Sequence, residues 1–261
     1  MFLKIFKYDF KAIFFKVLPF IIILPAISVV VRLFNYIPEL IEYNNIITAG
    51  IVLFNSVFVL LMVVTSMFNY IICLVRYTKS LFKDEGYLTH TLPVSKHQLL
   101  LSQLVANLIM TSLTILVIFL SALIAYFDPS TIQIIIIQLQ ESFQVIITDA
   151  QFLSTTILLV VTTLISSICS LLLMYLGIAI GHSFSKNKNL YSILFIIVLS
   201  YGFSFILQIV NTIVGFSIMS EISAYNAIII NLVIILILSV MAGVAAYFAN
   251  IYFMTKKLNL E

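Results

Sequence analysis

Six long apolar runs, separated by short polar segments, leave this chain little to fold into except a bundle of membrane-spanning helices. The runs fall near 17–35, 48–75, 101–127, 154–181, 190–214 and 226–254, each long enough to cross a bilayer as an α-helix. The basic residues order them. Lys4, Lys7, Lys11 and Lys16 precede the first run, and Arg76, Lys79, Lys83 and Lys96 lie between the second and third. Lys186 and Lys188 separate the fourth from the fifth, and Lys256 and Lys257 follow the sixth. Only Arg32 falls on the other side, which collects Glu39, Glu42, Asp128, Glu141, Asp149 and Glu221. Cytoplasmic loops carry an excess of Lys and Arg, so this sorting predicts a multi-pass protein of the cell (plasma) membrane with both termini cytoplasmic. The spans use almost all of 1–261, which reads as one all-α transmembrane domain.

Composition excludes several functions. Charged residues make up 9% of the chain and hydrophobic residues 63%, whereas about a quarter of a soluble domain is charged. Topology accounts for the net charge of +3, so no nucleic-acid partner is expected. Cys73 and Cys169 lie within spans and read as small apolar core residues, not as a disulfide. The run after Lys16 holds Pro19 and Pro25 and no small-residue cleavage pattern, so it reads as a retained, kinked span. No GxxxxGK[ST] loop and no HExxH pair occurs. His90, His97 and His182 are too far apart to suggest a zinc site and read as solvated loop residues. No Asp, Glu, Lys or Arg sits at mid-span, which disfavours ion-coupled carriers and intramembrane enzymes. No catalytic residue, metal site or enzymatic activity is expected in this chain.

Two segments outside the spans are amphipathic. In 2–16, Lys4, Lys7, Tyr8 and Lys11 share one helical face and Phe2, Phe6, Phe10 and Ile13 the other, predicting an interfacial helix in the cytoplasmic headgroup layer. In 128–153, Gln133, Gln140, Glu141 and Gln144 oppose Ile135, Leu139, Phe143 and Ile146, which suits a helix lying on the outer leaflet. The stretch 203–225, with Gly202, Gln208, Asn211 and Gly215, reads either as continuous helix or as a short re-entrant piece.

Within the spans, small polar residues form stripes. Gln103, Asn107, Thr111, Thr114 and Ser121 align in the third, and Thr155, Thr162, Ser166 and Ser170 in the fourth, with Gly177 and Gly181 at small-xxx-small spacing. Ser200, Ser204, Gln208 and Asn211 align in the fifth. Such stripes serve close helix–helix contact, with interhelical hydrogen bonds of about 0.6 to 2 kcal/mol each. They equally suit a weakly polar translocation path or a dimer seam.

The loop from Arg76 to Gln98 has readable physics. Gly86 and Pro93 bracket a segment that cannot belong to one long helix, and Pro93 drives Leu92 out of helical geometry. Ser95 and Gln98 match a capping box that restarts a helix into the third span. A short helix over about 84–91 is therefore predicted, carrying Glu85, Tyr87, Leu88 and His90 and inviting a docking partner.

The run LFKDEGYLTHTLPVSKHQLLLSQLVAN resembles the loop of ABC-2-type transporter permeases of Gram-positive bacteria, which carry an acidic-Gly-Tyr-Leu-Thr…Leu-Pro-Val-Ser pattern between their second and third spans. The strict motif covers about 20 residues, and the arrangement of the whole chain is similar. The resemblance implies a type V exporter-like permease that binds no cofactor itself, with ATP and Mg held by a separate ABC ATPase subunit. A second permease chain, the same or related, would complete the exporter. It implies that 84–91 is a coupling helix whose ATPase contacts are Asp84, Glu85, Gly86, Tyr87, Leu88 and Thr89. The loop around His182, Lys186 and Asn187 would be a second contact, and 2–16 would be a connecting helix seated on membrane lipid. Family members often place their largest external structure between the last two spans, whereas here it is 128–153.

The expectation is thus a permease subunit of an ATP-driven exporter, whose path for an amphipathic or apolar cargo (peptide, lipid-like molecule or antibiotic) draws on Asn107, Thr111, Thr114, Thr162, Ser166, Ser170, Ser204, Gln208 and Asn211. The alternative is a non-transporting scaffold or sensor that recruits a cytosolic partner through 76–98.

Overall fold

In a bilayer, backbone N–H and C=O groups have no water to bond, so each apolar run must satisfy them within itself, and the α-helix does so. The computed structural model describes residues 2–35, 45–91, 93–126, 129–218 and 224–256. They form α1 (Phe2–Asn35), α2 (Asn45–Phe82), α3 (Asp84–Thr91), α4 (Lys96–Tyr126), α5 (Pro129–Thr148), α6 (Ala150–Gly181), α7 (Lys188–Ile218) and α8 (Ala224–Lys256), with no strand among the described residues. Six of these helices, α1, α2, α4, α6, α7 and α8, are long and apolar enough to span a membrane. The molecule is an all-helical, multi-pass membrane protein. Glu39, Glu42, Asp128, Glu221 and Lys257, all used in the topology argument, lie outside the described residues, as do the side chains of Asp84, His90, Gln133 and Ile135.

The N-terminal segment departs from expectation. Residues 2–16 are not a separate element but the first turns of α1, which continues without a break through Pro19 and Pro25. At 1.5 Å per residue a 34-residue helix is roughly 51 Å long, well beyond a hydrocarbon core of about 30 Å. The face expected to meet lipid is occupied by protein instead. Phe6 and Phe10 pack against a core of Ile13, Val17, Ile72, Cys73, Ala106 and Met110. The re-entrant option for 203–225 is also not taken where the chain is described, because α7 runs unbroken to Ile218.

Contacts divide the chain into two units, 1–76 with 105–140, and 77–104 with 141–261. In the first, a second cluster joins Leu24, Val31, Phe58 and Ala125. A buried ion pair there joins Asp9 to Arg76, whose guanidinium also lies over the Tyr8 ring at 4.9 Å.

In the second unit α6 packs against both α7 and α8. The approach to α7 is set by glycine. A Cβ at Gly177 would lie 2.6 Å from the Ile196 nitrogen, and one at Gly181 would meet the Ser192 backbone still more closely. The small-xxx-small pair is therefore a backbone-to-backbone contact. Asn250 of α8 fastens the other side, donating from Nδ2 to the Leu172 carbonyl at 3.0 Å as well as to Ala246 in its own helix.

Residues 129–148 are helical as α5, and their described apolar and polar side chains are largely exposed. Asp149 ends it and caps α6, accepting from the Gln151 N–H at 2.9 Å.

Candidate functional site

The last turns of α2 are seated in the second unit by an aromatic stack. Tyr77 and Tyr175 lie nearly parallel with ring centroids 3.9 Å apart, both fully buried. Their hydroxyls reach two further elements: Tyr77 donates to Asn250 Oδ1 and Tyr175 to the Gln103 carbonyl, each at 3.4 Å. The chain that follows is thus presented from a fixed base.

Lys83 interrupts the helix, and α3 begins at Asp84. The Gly86 N–H bonds back to the Lys83 carbonyl at 2.7 Å, closing the turn. Thr89 turns its hydroxyl toward the Ser80 carbonyl at 2.6 Å and that of Glu85, tying α3 to the end of α2. Gly86 is buried and Thr89 half-buried, whereas Tyr87 and Leu88 are 68% and 69% exposed. A short helix that faces solvent with its largest apolar residues has the form of a docking element. After Pro93 the chain restarts at Ser95, whose Oγ accepts from the Gln98 N–H at 3.3 Å.

The α6–α7 loop lies against the same base. The His182 ring sits 5.0 Å from that of Phe82. The expected solvated histidine is in fact 3% exposed. Its Nδ1 lies 3.0 Å from both the Ile178 carbonyl and Ser192 Oγ. Burial pushes the imidazole pKa below its ordinary value, the Ile178 bond opposes that, and Lys83 and Lys188 lower it further. Lys186 and Asn187 are exposed, and Asn187 takes a left-handed φ of 53°. Among the sequence-named contacts, Glu85 to Thr89 and His182, Lys186 and Asn187 are therefore borne by neighbouring loops of one unit. Sequence separation hid this proximity, along with Phe82, the residue that joins them. His97 is exposed and bonds Tyr247 Oη at 2.7 Å.

The polar stripes divide by burial. Asn107, Thr114 and Thr162 are buried and Thr111 is half-buried. Ser166 makes an interhelical bond, 3.0 Å to Ser239. Most other hydroxyls turn back on their own helix, as Thr111, Thr114, Thr162, Ser170 and Ser204 do toward carbonyls three or four residues earlier. Ser204 and Gln208 are exposed and Asn211 is half-buried with Oδ1 unbonded. Gln103 is 1% exposed, and among the described residues neither atom of its amide has a hydrogen-bond partner.

No protein-family model, curated protein or solved structure matches the chain.

Proposed function

We propose that this protein is the membrane-spanning permease subunit of an ATP-driven exporter, docked through α3 to a separate ATPase of the ATP-binding-cassette class. The observation that carries the reading is α3 itself, an eight-residue helix held on α2 by Thr89 and Gly86 while Tyr87 and Leu88 face outward. The motif resemblance described above supports the same assignment. In this reading both termini and the basic loops are cytoplasmic, the lysine face of 2–16 meets anionic headgroups, and α5 lies on the outer leaflet. A second permease chain covers the exposed polar face of α7. Closure of the ATPases moves α3 and shifts the spans between inward- and outward-facing arrangements. The weakly polar stripes, without a fixed charge, favour an amphipathic or apolar cargo.

The test is purification of the tagged chain from its host in mild detergent, with mass spectrometry of its companions. A stoichiometric phosphate-loop ATPase that is lost in Tyr87→Ser/Leu88→Ser is expected. A reproducible partner of another class, with no ATPase after cross-linking, would replace the exporter by a recruiting scaffold.

A further inference from the structure

A cleft of 540 Å³ opens where α6 ends and α7 begins, lined by Phe82, Lys83, His182, Ser185, Asn187, Lys188, Asn189 and Leu190. Its two cations come from different elements, Lys83 from the α2–α3 turn and Lys188 from the first turn of α7. No carboxylate lines it among the described residues. Both lysines lower the pKa of His182, so both charges are felt at the cleft wall it forms. The cleft sits at the ends of two helices long and apolar enough to span a membrane. From its rim an apolar stripe runs down α7. Leu190, Ile193, Leu194, Ile197 and Tyr201, at helical spacing on one face, are all exposed.

We propose that this cleft is a binding site for the phosphate of an anionic glycerophospholipid, with one acyl chain laid along Leu190, Ile193, Leu194 and Ile197. Lys83 and Lys188 contact the phosphate, and Ser185 and Asn187 supply neutral hydrogen bonds around it. The apolar stripe selects a lipid over a free phosphate, and the lysines select an anionic lipid over a zwitterionic one. Ordinary boundary lipid needs only the apolar face. The built headgroup cleft is what makes this a site. The inference goes beyond the exporter reading and does not depend on it.

The test uses the full chain, delipidated in neutral detergent and studied by native mass spectrometry with dioleoyl phosphatidylglycerol, dioleoyl phosphatidylcholine or inorganic phosphate added. The expected result is one saturable phosphatidylglycerol adduct, much weaker retention of phosphatidylcholine, and roughly thirtyfold weaker phosphatidylglycerol binding in Lys83→Gln/Lys188→Gln. Helical circular dichroism and a single elution peak check that the variant is folded. Lys256→Gln/Lys257→Gln, equal in charge change and outside both the cleft and the 2–16 face, should bind like the wild type. Equal loss in that control, or undiminished binding in the cleft variant, overturns the proposal. A phosphate adduct without any lipid adduct overturns its lipid part.

Discussion

Arg76 grips Asp9 through a single carboxylate oxygen, Nε at 2.9 Å and Nη2 at 2.7 Å from the same Oδ1, with both side chains almost wholly buried. The pair ties α1 to α2 across 67 residues of sequence. Removing one member of a buried pair strands the other charge. Asp9→Asn should therefore cost about 3–5 kcal/mol, while Asp9→Leu/Arg76→Met recovers most of the loss. Thermal unfolding in detergent provides the check, and a single variant as stable as wild type would mean that the pair holds nothing together.

Glycine at 177 and 181 has a different role from glycine at 243. A methyl group at either of the first two meets α7 backbone, whereas at Gly243 it reaches only the Cys169 side chain at 3.6 Å. Gly177→Ala and Gly181→Ala should each destabilise by about 1–3 kcal/mol, and Gly243→Ala by much less. Unfolding midpoints of the three variants, compared side by side, give the ranking.

Gln103 carries an amide that finds no partner among the described residues. Gln103→Met keeps the volume and removes that burden, so about 1–2 kcal/mol of stabilisation is expected. A lower unfolding midpoint would show that the amide is satisfied in the working protein.

Gly86 combines burial with a backbone N–H that the turn uses. Gly86→Pro deletes that donor, and Glu85→Lys reverses the charge at the start of α3. Both should lower ATPase recovery at least about tenfold while leaving six inserted helices, as judged by co-purification and protease accessibility. Retention of the ATPase at wild-type yield in both variants would remove α3 from the docking surface.

His182 gives the fold a pH dependence of known sign. Its folded pKa lies below the unfolded one, so the unfolded chain takes up the proton first as pH falls. Its contribution is flat above the unfolded value near 6.5, and stability declines from there down to the folded pKa. The drop in unfolding temperature between pH 7.5 and 5.5 should shrink in His182→Asn; an identical drop in the variant would assign it to other groups.

The spans were legible because hydrophobicity and length are one-dimensional signals, and the restart at Ser95 because proline and a capping residue act locally. The glycine contact at 177 and 181 was legible by spacing alone. What escaped depended on partners distant in sequence. Lys4 to Lys16 read as a headgroup flank, yet Asp9 and the Phe6–Phe10 face are claimed by α2 and α4 residues. His182 read as solvated because Lys186 and Lys188 follow it, yet Phe82, a hundred residues earlier, covers its ring. The fifth-span stripe read like the others, but Ser204 and Gln208 are exposed.

The bond between Tyr77 and Asn250 spans 173 residues. A ribosome adding about 5–20 residues per second needs roughly ten to thirty seconds to make that stretch. Throughout that interval the base beneath α3 lacks its final clasp, although the Asp9–Arg76 tie can already have closed. A nascent or prematurely terminated chain therefore carries α3 on α2, held by Thr89 and Gly86, without the bond that fastens the end of α2 to α8.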